Sequence, residues 1–512
     1  MIDATPLMKL YARRRLGRIR SVPPAEAQAG ELRRLLHWAR DTAFGKAHGF
    51  GSIRSVEDFR SAVPVRSYED YWRDWWAKPF PVHENVTSPG RTPYFAVTSG
   101  TTSGKTKYIP VTREMVASNK RAALDVVVHH LNNHPDSHPL GGKTFMMGGS
   151  TDLVAEADGV FSGDLSGIAT ATQSLWTRPF AYPPTDVALW EDWERKLDRF
   201  ARDAFEEKIT IWTGTPSWML ILLDRMREIA DGRPLFPHLD LLVHGGVSWE
   251  LYADRFAGFL AETGARTREV YPASEAFIAV ADRDYADGLR LIADNGIFFE
   301  FIPLEELGSE NPTRHWTGTI ETGVDYAVVV SSNAGLYAYL IGDTVRFLDR
   351  DGPRLRITGR TSYMLSAFGE HLLGSEIESA VHDAAGEQDA NVVEFTVGPV
   401  LHTGKGGRGG HIYLIETESS VDPRLLAERI DARLHDTNDD YAAHRAEGTG
   451  MEPPRVVPVE PGGFERWMAS QGKSGGQHKV PRVMSDPDRF QRMLADFGVD
   501  PDSGQQQGEE HQ

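Results

Sequence analysis

Apolar positions recur along this chain with two spacings, and each spacing predicts a different element. Between Asp186 and Phe205, the residues Trp190, Trp193, Leu197, Phe200 and Ala204 return every three or four positions with charges between them. That is the pattern of one buried face of a helix, and it reads as core packing. Elsewhere short apolar runs stop at small or turn residues. Ile209 to Trp212 runs into Gly214-Thr215-Pro216, Leu241 to Val243 into His244-Gly245-Gly246, and Ala327 to Val330 into Ser331-Ser332-Asn333. Buried strands that end in such turns, with helices between them, predict an α/β sheet protein. Folds of this class bind ligands beyond the carboxyl ends of their strands. Glu31 to Trp72 mixes helical periodicity with an extended Val63-Pro64-Val65.

The pattern changes near Gly359-Arg360-Thr361. Beyond it two apolar strands, Val392 to Val397 and Ile412 to Ile415, are joined by the glycine-rich Gly404 to Gly410. The expectation is a large N-terminal α/β domain with mixed sheets over 1–358 and a small α+β domain over 359–500. The Gln-, Glu-, Gly- and Ser-rich 501–512 reads as a disordered tail. A length of 512 residues with 40% apolar positions suits two or three folding units. The net charge of −18 speaks against nucleic acid or an anionic membrane as partner, because it repels phosphate at long range. It does not exclude ATP, whose phosphates one loop and a metal ion can hold. No cysteine is present, which removes thiol nucleophiles, cysteine-ligated zinc and disulfides. No run approaches about 18 apolar residues, so no membrane span is expected. The basic Met1 to Arg20 is followed by no apolar run, unlike a secretory signal. The expected compartment is the cytoplasm, and oligomeric state is left open.

The densest local signal is Thr98-Ser99-Gly100-Thr101-Thr102-Ser103-Gly104-Lys105-Thr106-Lys107, after the apolar Tyr94 to Val97. Its glycines admit a polyphosphate close to the backbone, its hydroxyls and amides donate, and Lys107 neutralises charge. It is not a full Walker loop, because no glycine stands at the required spacing before Gly104-Lys105-Thr106. The alternative is a flexible surface loop between strand and helix.

Thr98 to Lys107 followed by Pro110 resembles the phosphate loop of the acyl-adenylate-forming, firefly luciferase-like superfamily. The ending Lys107-Tyr108-Ile109-Pro110 is similar to that of the Gretchen Hagen family of acyl acid-amido synthetases, the auxin-conjugating enzymes of plants and their bacterial relatives. Further segments follow in the family's order: Ala43 to Lys46, Val63 to Asp70, Gly214 to Trp218, His244 to Val247 and Tyr271-Pro272-Ala273-Ser274-Glu275. Phe299 to Phe301, Tyr339 to Phe347 and Gly476 to Arg482 complete the set. One such motif is weak; the ordered set spans the chain.

The resemblance implies the acyl-adenylate-forming fold, with a small C-terminal domain that rotates about a hinge near Arg360 and an active site between the two domains. It implies ATP, with AMP as bound product, and Mg2+. Glu275 would hold the metal, a hard ion suited to a carboxylate. Tyr271, Ala273 and Ser274 would contact the adenine and its surroundings. Asp343 would accept the ribose hydroxyls, with Tyr339 and Arg360 beside it. Lys107 would act on the phosphates, and Lys479 would reach the attacked carboxylate and stabilise its negative transition state. The bland alternatives are a loop acid for Glu275, a turn residue for Asp343 and a solvated lysine for Lys479. The implied reaction is activation of a small carboxylic acid as acyl-adenylate, then transfer to an amine, an amino acid or amino-bearing metabolite.

Two positions depart from the family's pattern. Ala276 stands where glycine is common and Ala338 where arginine is common. The missing arginine keeps a second reading open, hydrolysis of an acyl-adenylate, ester or amide. A third is transfer to coenzyme A or a carrier thiol, and a fourth is a non-catalytic binder. His129, His130, His134 and His138 invite comparison with a zinc site, but no Glu stands where a zinc protease needs its base, and Pro135 and Pro139 end the helix. Trp72, Trp75 and Trp76 read as packing rather than a stacking platform for nucleic acid.

Overall fold

The computed structural model describes residues 3–99, 106–148, 153–175, 177–184, 187, 190, 193–246, 249, 252–283, 287–361, 365, 372–401, 409–438, 441, 442, 445, 451–471, 480–484 and 486–501. The chain forms two compact units. The first comprises 1–100, 104–341 and 345–356; the second comprises 101–103, 342–344 and 357–512. The tail from 502 onward lies outside the described residues.

The strands, in chain order, are β1 (Tyr94–Ser99), β2 (Thr106–Val111), β3 (Lys143–Met146), β4 (Val154–Ala157), β5 (Val160–Gly163), β6 (Ala181–Tyr182), β7 (Ile209–Gly214), β8 (Leu241–Gly245) and β9 (Arg266–Pro272). They continue with β10 (Phe277–Val280), β11 (Leu289–Leu291), β12 (Ile297–Pro303), β13 (Asp325–Ser332), β14 (Leu336–Asp349), β15 (Arg354–Arg360), β16 (Val392–Leu401), β17 (Gly409–Thr417) and β18 (Arg455–Val459). The long sheet runs β12-β13-β14-β15-β11-β10-β9-β8-β7-β3-β6. Its β6, β3, β7, β8 and β9 are parallel neighbours, while β10 returns antiparallel to β9. The expected mixed α/β architecture is therefore present. The three glycine- or serine-terminated runs are β7, β8 and the core of β13.

Burial explains the strand sequences. β12 and β13 are almost wholly buried on both faces and read as continuous apolar runs. Phe44, Phe59, Phe298 and Tyr337 share their core with helix Pro24–Ala39. A second core gathers Trp212, Leu223 and Phe256 with Leu197, Phe200 and Ala204 of the amphipathic stretch. The described helix there is Trp193–Asp203, shorter than the periodicity predicts. Trp190 stands before it, its ring under the Arg195 guanidinium. Each such apolar side chain contributes on the order of 1.5–3 kcal/mol. Trp72–Trp76 form one π-helical turn in which Trp76 is fully buried, packed on Tyr71.

Thr98 to Lys107 differs from a strand-to-helix loop. β1 and β2 are antiparallel partners in a four-stranded sheet of order β2-β1-β5-β4, with Thr98 opposite Lys107 and Ser99 opposite Thr106. The segment is thus a hairpin connection. Pro110 cannot continue a helix but is tolerated on this edge strand. The helix starts only at Arg113, where Thr112 caps it by accepting from the Met115 N–H.

In the second unit, β16 pairs antiparallel with β17, and β18 lies parallel on the other side of β17. Helices Gly374–Gly386 and Pro423–Thr437 pack with Phe395, Tyr413 and Ile415 into one core, while Phe464, Phe490 and Leu494 form another.

Candidate functional site

Lys107 leaves β2 with its ammonium 5.2 Å from the centroid of the Tyr68 ring, a cation–π contact. The Tyr68 hydroxyl accepts from the Tyr108 N–H at 3.0 Å, which fixes the ring beneath the lysine. Burial pushes the Tyr68 phenol up to about 12, so it stays protonated at neutral pH. Tyr68 belongs to a capped turn: Ser67 accepts from the Asp70 N–H, and the Asp70 carboxylate accepts from the Ser67 N–H. Gly100, Thr101 and Thr102 lie outside the described residues, as does the Ser99 side chain.

The turn between β9 and β10 presents Glu275. The Ala273 N–H donates to the Ala276 carbonyl at 2.8 Å, and the Ala276 N–H donates back at 3.3 Å. Ser274 and Glu275 are therefore the tip of a tight hairpin, half-buried, with Tyr271 buried behind them. Ser332 Oγ donates to the Glu275 carbonyl at 3.2 Å, and the Tyr339 hydroxyl donates to Glu275 Oε1 at 3.3 Å. Tyr339 is held well above its ordinary pKa, first by burial and then by the Glu275 charge, with Glu69 and Tyr68 adding to it. Lys107, Tyr68, Tyr339 and Glu275 thus form one cluster in the first unit, with a cation at one end and a carboxylate at the other. Tyr68 is the member that reasoning on single residues missed; its only signal was its place within Val63 to Asp70.

Ala338 has φ +49° and is fully buried in β14. Its N–H donates to Ser331 Oγ and its carbonyl accepts from the Arg66 N–H, both at 2.9 Å. Leu340 donates to the Arg66 carbonyl at 2.9 Å, and the Tyr71 hydroxyl bridges the N–H and carbonyl of Tyr337 at 2.7 Å each. The segment from Arg66 to Tyr71 is therefore clasped along β14 beside Tyr339. At the end of β8, a side chain on Gly245 would meet the Val270 carbonyl at 2.4 Å, so this strand end must be glycine. His244 just before it is buried, with its ring stacked on Trp249 at 3.9 Å. Neither ring nitrogen has a partner among the described residues. Burial holds its pKa down at about 3.

In the second unit, Arg360 Nε donates to Asp343 Oδ1 at 2.7 Å. Thr358 Oγ1 donates to Thr344 Oγ1 at 2.9 Å, and Thr361 Oγ1 donates to the Gly342 carbonyl at 3.2 Å. Gly342, at φ +94°, stands directly before Asp343 within β14, so Asp343 is a strand residue rather than a turn residue. Lys479 lies outside the described residues.

The four histidines meet different partners, although the rings of His130 and His134 lie 5.2 Å apart. His130 Nε2 meets Ser137 Oγ at 2.7 Å and Asp240 at 3.3 Å, and Ser137 Oγ donates directly to Asp240 at 2.6 Å. Serine and aspartate thus share one ring nitrogen instead of flanking the imidazole, which is not the order of a hydrolytic triad. His138 pairs with Asp3, and His129 is buried with its pKa lowered to about 4. Among the described residues no three His, Asp or Glu side chains gather into a metal cage. The Glu275 carboxylate suits Mg2+, which takes one or two protein carboxylates and completes its shell with water and phosphate oxygens.

Three domain profiles of the GH3 family match the chain: the N-terminal domain over 21–197, the central domain over 290–360 and the C-terminal domain over 375–488. Indole-3-acetic acid-amido synthetase GH3.3 of Arabidopsis thaliana is 28% identical over 204 residues, 38% of this chain and 34% of that protein. Indole-3-acetic acid-amido synthetase GH3.8 of Oryza sativa subsp. indica is 27% identical over 240 residues, 43% and 39% of the two chains. The matched stretches thus span little more than a third of these relatives' length. Among solved structures, GH3.15 acyl acid amido synthetase superposes with TM-score 0.73 at 16% identity, covering 92% of this chain and 93% of that one. A 2-hydroxyisobutyryl-CoA ligase in the postadenylation state, in complex with 2-HIB-AMP, superposes with TM-score 0.56 at 17% identity, covering 92% and 91%. At these identities the likeness shows a shared fold. No helix among the described residues is long and apolar enough to cross a membrane.

Proposed function

The chain belongs to the GH3 family; on that premise we propose that it is an ATP- and Mg2+-dependent acyl acid-amido synthetase. The observation that supports this reading most is the Lys107-Tyr68-Tyr339-Glu275 cluster. A cation and a carboxylate in one cluster suit a phosphate chain and its metal, which need opposite charges.

In the first half-reaction the acid's carboxylate oxygen bonds to the α-phosphorus of ATP, and pyrophosphate leaves. In the second, an amine attacks the acyl carbon of the mixed anhydride, AMP leaves and the amine gives up a proton. Both are positioning and charge problems rather than protein-nucleophile chemistry, consistent with a chain that has no cysteine. Lys107 pairs with phosphate oxygens, and its place over the Tyr68 face limits where the ammonium can wander. The Ser274-Glu275 turn holds the carboxylate that takes Mg2+, and the Tyr339 hydroxyl orients it. When bound, Mg2+ neutralises the charge that develops on the phosphates. Asp343, oriented by Arg360, accepts the ribose hydroxyls. Lys479 serves the attacked carboxylate. The acid is a small organic acid, the amine an amino acid or amino-bearing metabolite, and the setting the cytoplasm of a bacterium.

Ala338 favours one second reading, since it supplies no cation where relatives commonly have arginine. That reading is hydrolysis, in which water replaces the amine.

ATP–pyrophosphate exchange with a panel of carboxylic acids, followed by mass spectrometry of products with added amines, separates these. Acid-dependent exchange with a stable conjugate supports the synthetase. Exchange with only free acid and AMP as products supports hydrolysis, and a thioester formed only with coenzyme A points to the thiol ligase. No exchange with any acid would sink the adenylation reading.

A further inference from the structure

Two neighbouring cavities lie in the first unit, where helix Thr5–Ser21 and the start of helix Pro24–Ala39 meet helix Arg113–Asn133 and strands β10 and β11. The larger holds about 360 Å³ and the smaller about 340 Å³, and both are lined by Arg15, Arg18 and Asp294. Together their walls carry seven arginines against four carboxylates. That is a local excess of positive charge in a chain of net charge −18. Val280, which lines the larger cavity, is the last residue of β10, whereas the Ser274-Glu275 turn precedes that strand's first residue. The cleft therefore lies at the opposite end of β10 from the candidate active site.

The ion pairs within the cleft leave guanidinium capacity unspent. Arg15 is saturated: it reaches Asp125 at 2.8 and 2.7 Å and Asp294 at 2.6 and 2.7 Å. Arg18 shares that same Asp294, at 3.6 Å. Arg290 meets Asp282 at 3.6 Å, but Asp282 is already held by both arms of Arg354 at 2.9 and 2.7 Å. Arg33 donates only to the Ala29 carbonyl at 3.3 Å and has no carboxylate partner among the described residues. Burial lowers the pKa of Arg290, and nearby Arg354 adds to the effect against the pull of Asp282. A guanidinium kept half out of water, whose nearest carboxylate is already held by Arg354, is poised for another anion. Ile19, Val22 and Ile292 line the same walls, which adds apolar surface for a carbon skeleton.

We propose that this cleft binds a small organic anion through a carboxylate or phosphate group, gripped by Arg18, Arg33 and Arg290, at a site separate from that of the nucleotide. Forked donation from two or three guanidiniums selects planar or tetrahedral oxyanions over chloride. The proposal stands on the cleft alone and does not depend on the reaction assigned to the other end of the sheet.

Isothermal titration of the full-length chain with citrate and, separately, inorganic phosphate tests it. The wild type is expected to bind at least one probe saturably. Arg18→Glu and Arg33→Glu, both exposed and tolerable to the fold, are expected to weaken that binding tenfold or more, while thermal stabilisation by ATP stays unchanged. Arg290→Leu adds the buried arm, and the two surface variants decide the matter if it fails to fold. Binding of citrate alone identifies a carboxylate site, and binding of phosphate alone a phosphoryl site. No saturable binding of either probe overturns the proposal. So does binding that the cleft variants leave intact but Lys107→Ala removes.

Discussion

His244 offers a direct test of how burial sets the behaviour of the first unit. Its ring is buried against Trp249 and lacks hydrogen-bond partners among the described residues, and its pKa is held at about 3. An unfolded histidine titrates near 6.5. Below that pH the unfolded chain takes up a proton that the folded chain refuses, so stability falls as pH drops from about 6.5 toward 3. Worked from these two values, the loss between pH 7.5 and pH 5 is about 2 kcal/mol. In His244→Leu that share of the acid sensitivity disappears. At pH 7.5 two effects oppose: the variant removes an unsatisfied buried polar group, worth about 1–3 kcal/mol, and loses ring stacking, worth about 0.5–1.5 kcal/mol. Its neutral-pH stability therefore stays within roughly 1–2 kcal/mol of wild type. Urea unfolding followed by tryptophan fluorescence at the two pH values measures both quantities. His83 and His129, each lowered to about 4 by burial, supply an acid-sensitive background common to both proteins. Equal losses on acidification in wild type and His244→Leu would refute the linkage.

Three further outcomes are expected. Glu275→Gln removes the carboxylate that Tyr339 orients, so the Mg2+ concentration for half-maximal pyrophosphate exchange rises roughly tenfold, the scale of one lost charge-assisted contact; an unchanged metal requirement rejects the ligand. Asp343→Ala takes away the partner of Arg360; at an ATP concentration that stabilises the wild type by about 2.7 kcal/mol, a tenfold weaker site leaves about 1.4 kcal/mol in a thermal-shift series, and full stabilisation refutes the assignment. Arg314→Ala strips buried Glu300 of its 2.6 Å partner and leaves, among the described residues, Arg60 at 3.3 Å; the expected cost is about 3–5 kcal/mol in urea unfolding, and a cost near zero would mean that Arg60 alone neutralises the acid.

The strands and their ends were readable from the chain because burial on both faces writes itself as continuous apolar runs: Ile209 to Trp212, Leu241 to Val243 and Ala327 to Val330 all lie in β-strands. Val392 to Val397 and Ile412 to Ile415 likewise emerge as antiparallel partners. The hairpin nature of Thr98 to Lys107 was hidden, since a loop rich in Ser, Thr and Gly looks the same whether a strand or a helix follows it. The contact of Lys107 with Tyr68, and of Tyr339 with Glu275, could not be read at all. Such pairs leave no periodicity, and each residue is individually compatible with a surface loop. The left-handed Ala338 was equally silent, because nothing in an alanine's neighbours reports the sign of φ. The arginines of the cleft share that invisibility: seven basic residues scattered from Arg14 to Arg290 look like ordinary surface charge until folding brings them together.

The clasp of Arg66 and Tyr71 on β14 has a consequence for synthesis. Tyr71 and Tyr337 are 266 residues apart, and ribosomes add about 5–20 residues per second. The early segment that carries Tyr68 therefore emerges roughly 10–50 seconds before the strand that must hold it. During that interval Phe44 and Tyr71, both fully buried in the finished protein, lack the cover that Tyr337 and Tyr339 of β14 supply. Nascent chains stalled before β14 thus leave these rings without that strand, and no truncation ahead of it can form the Tyr71–Tyr337 hydrogen bonds.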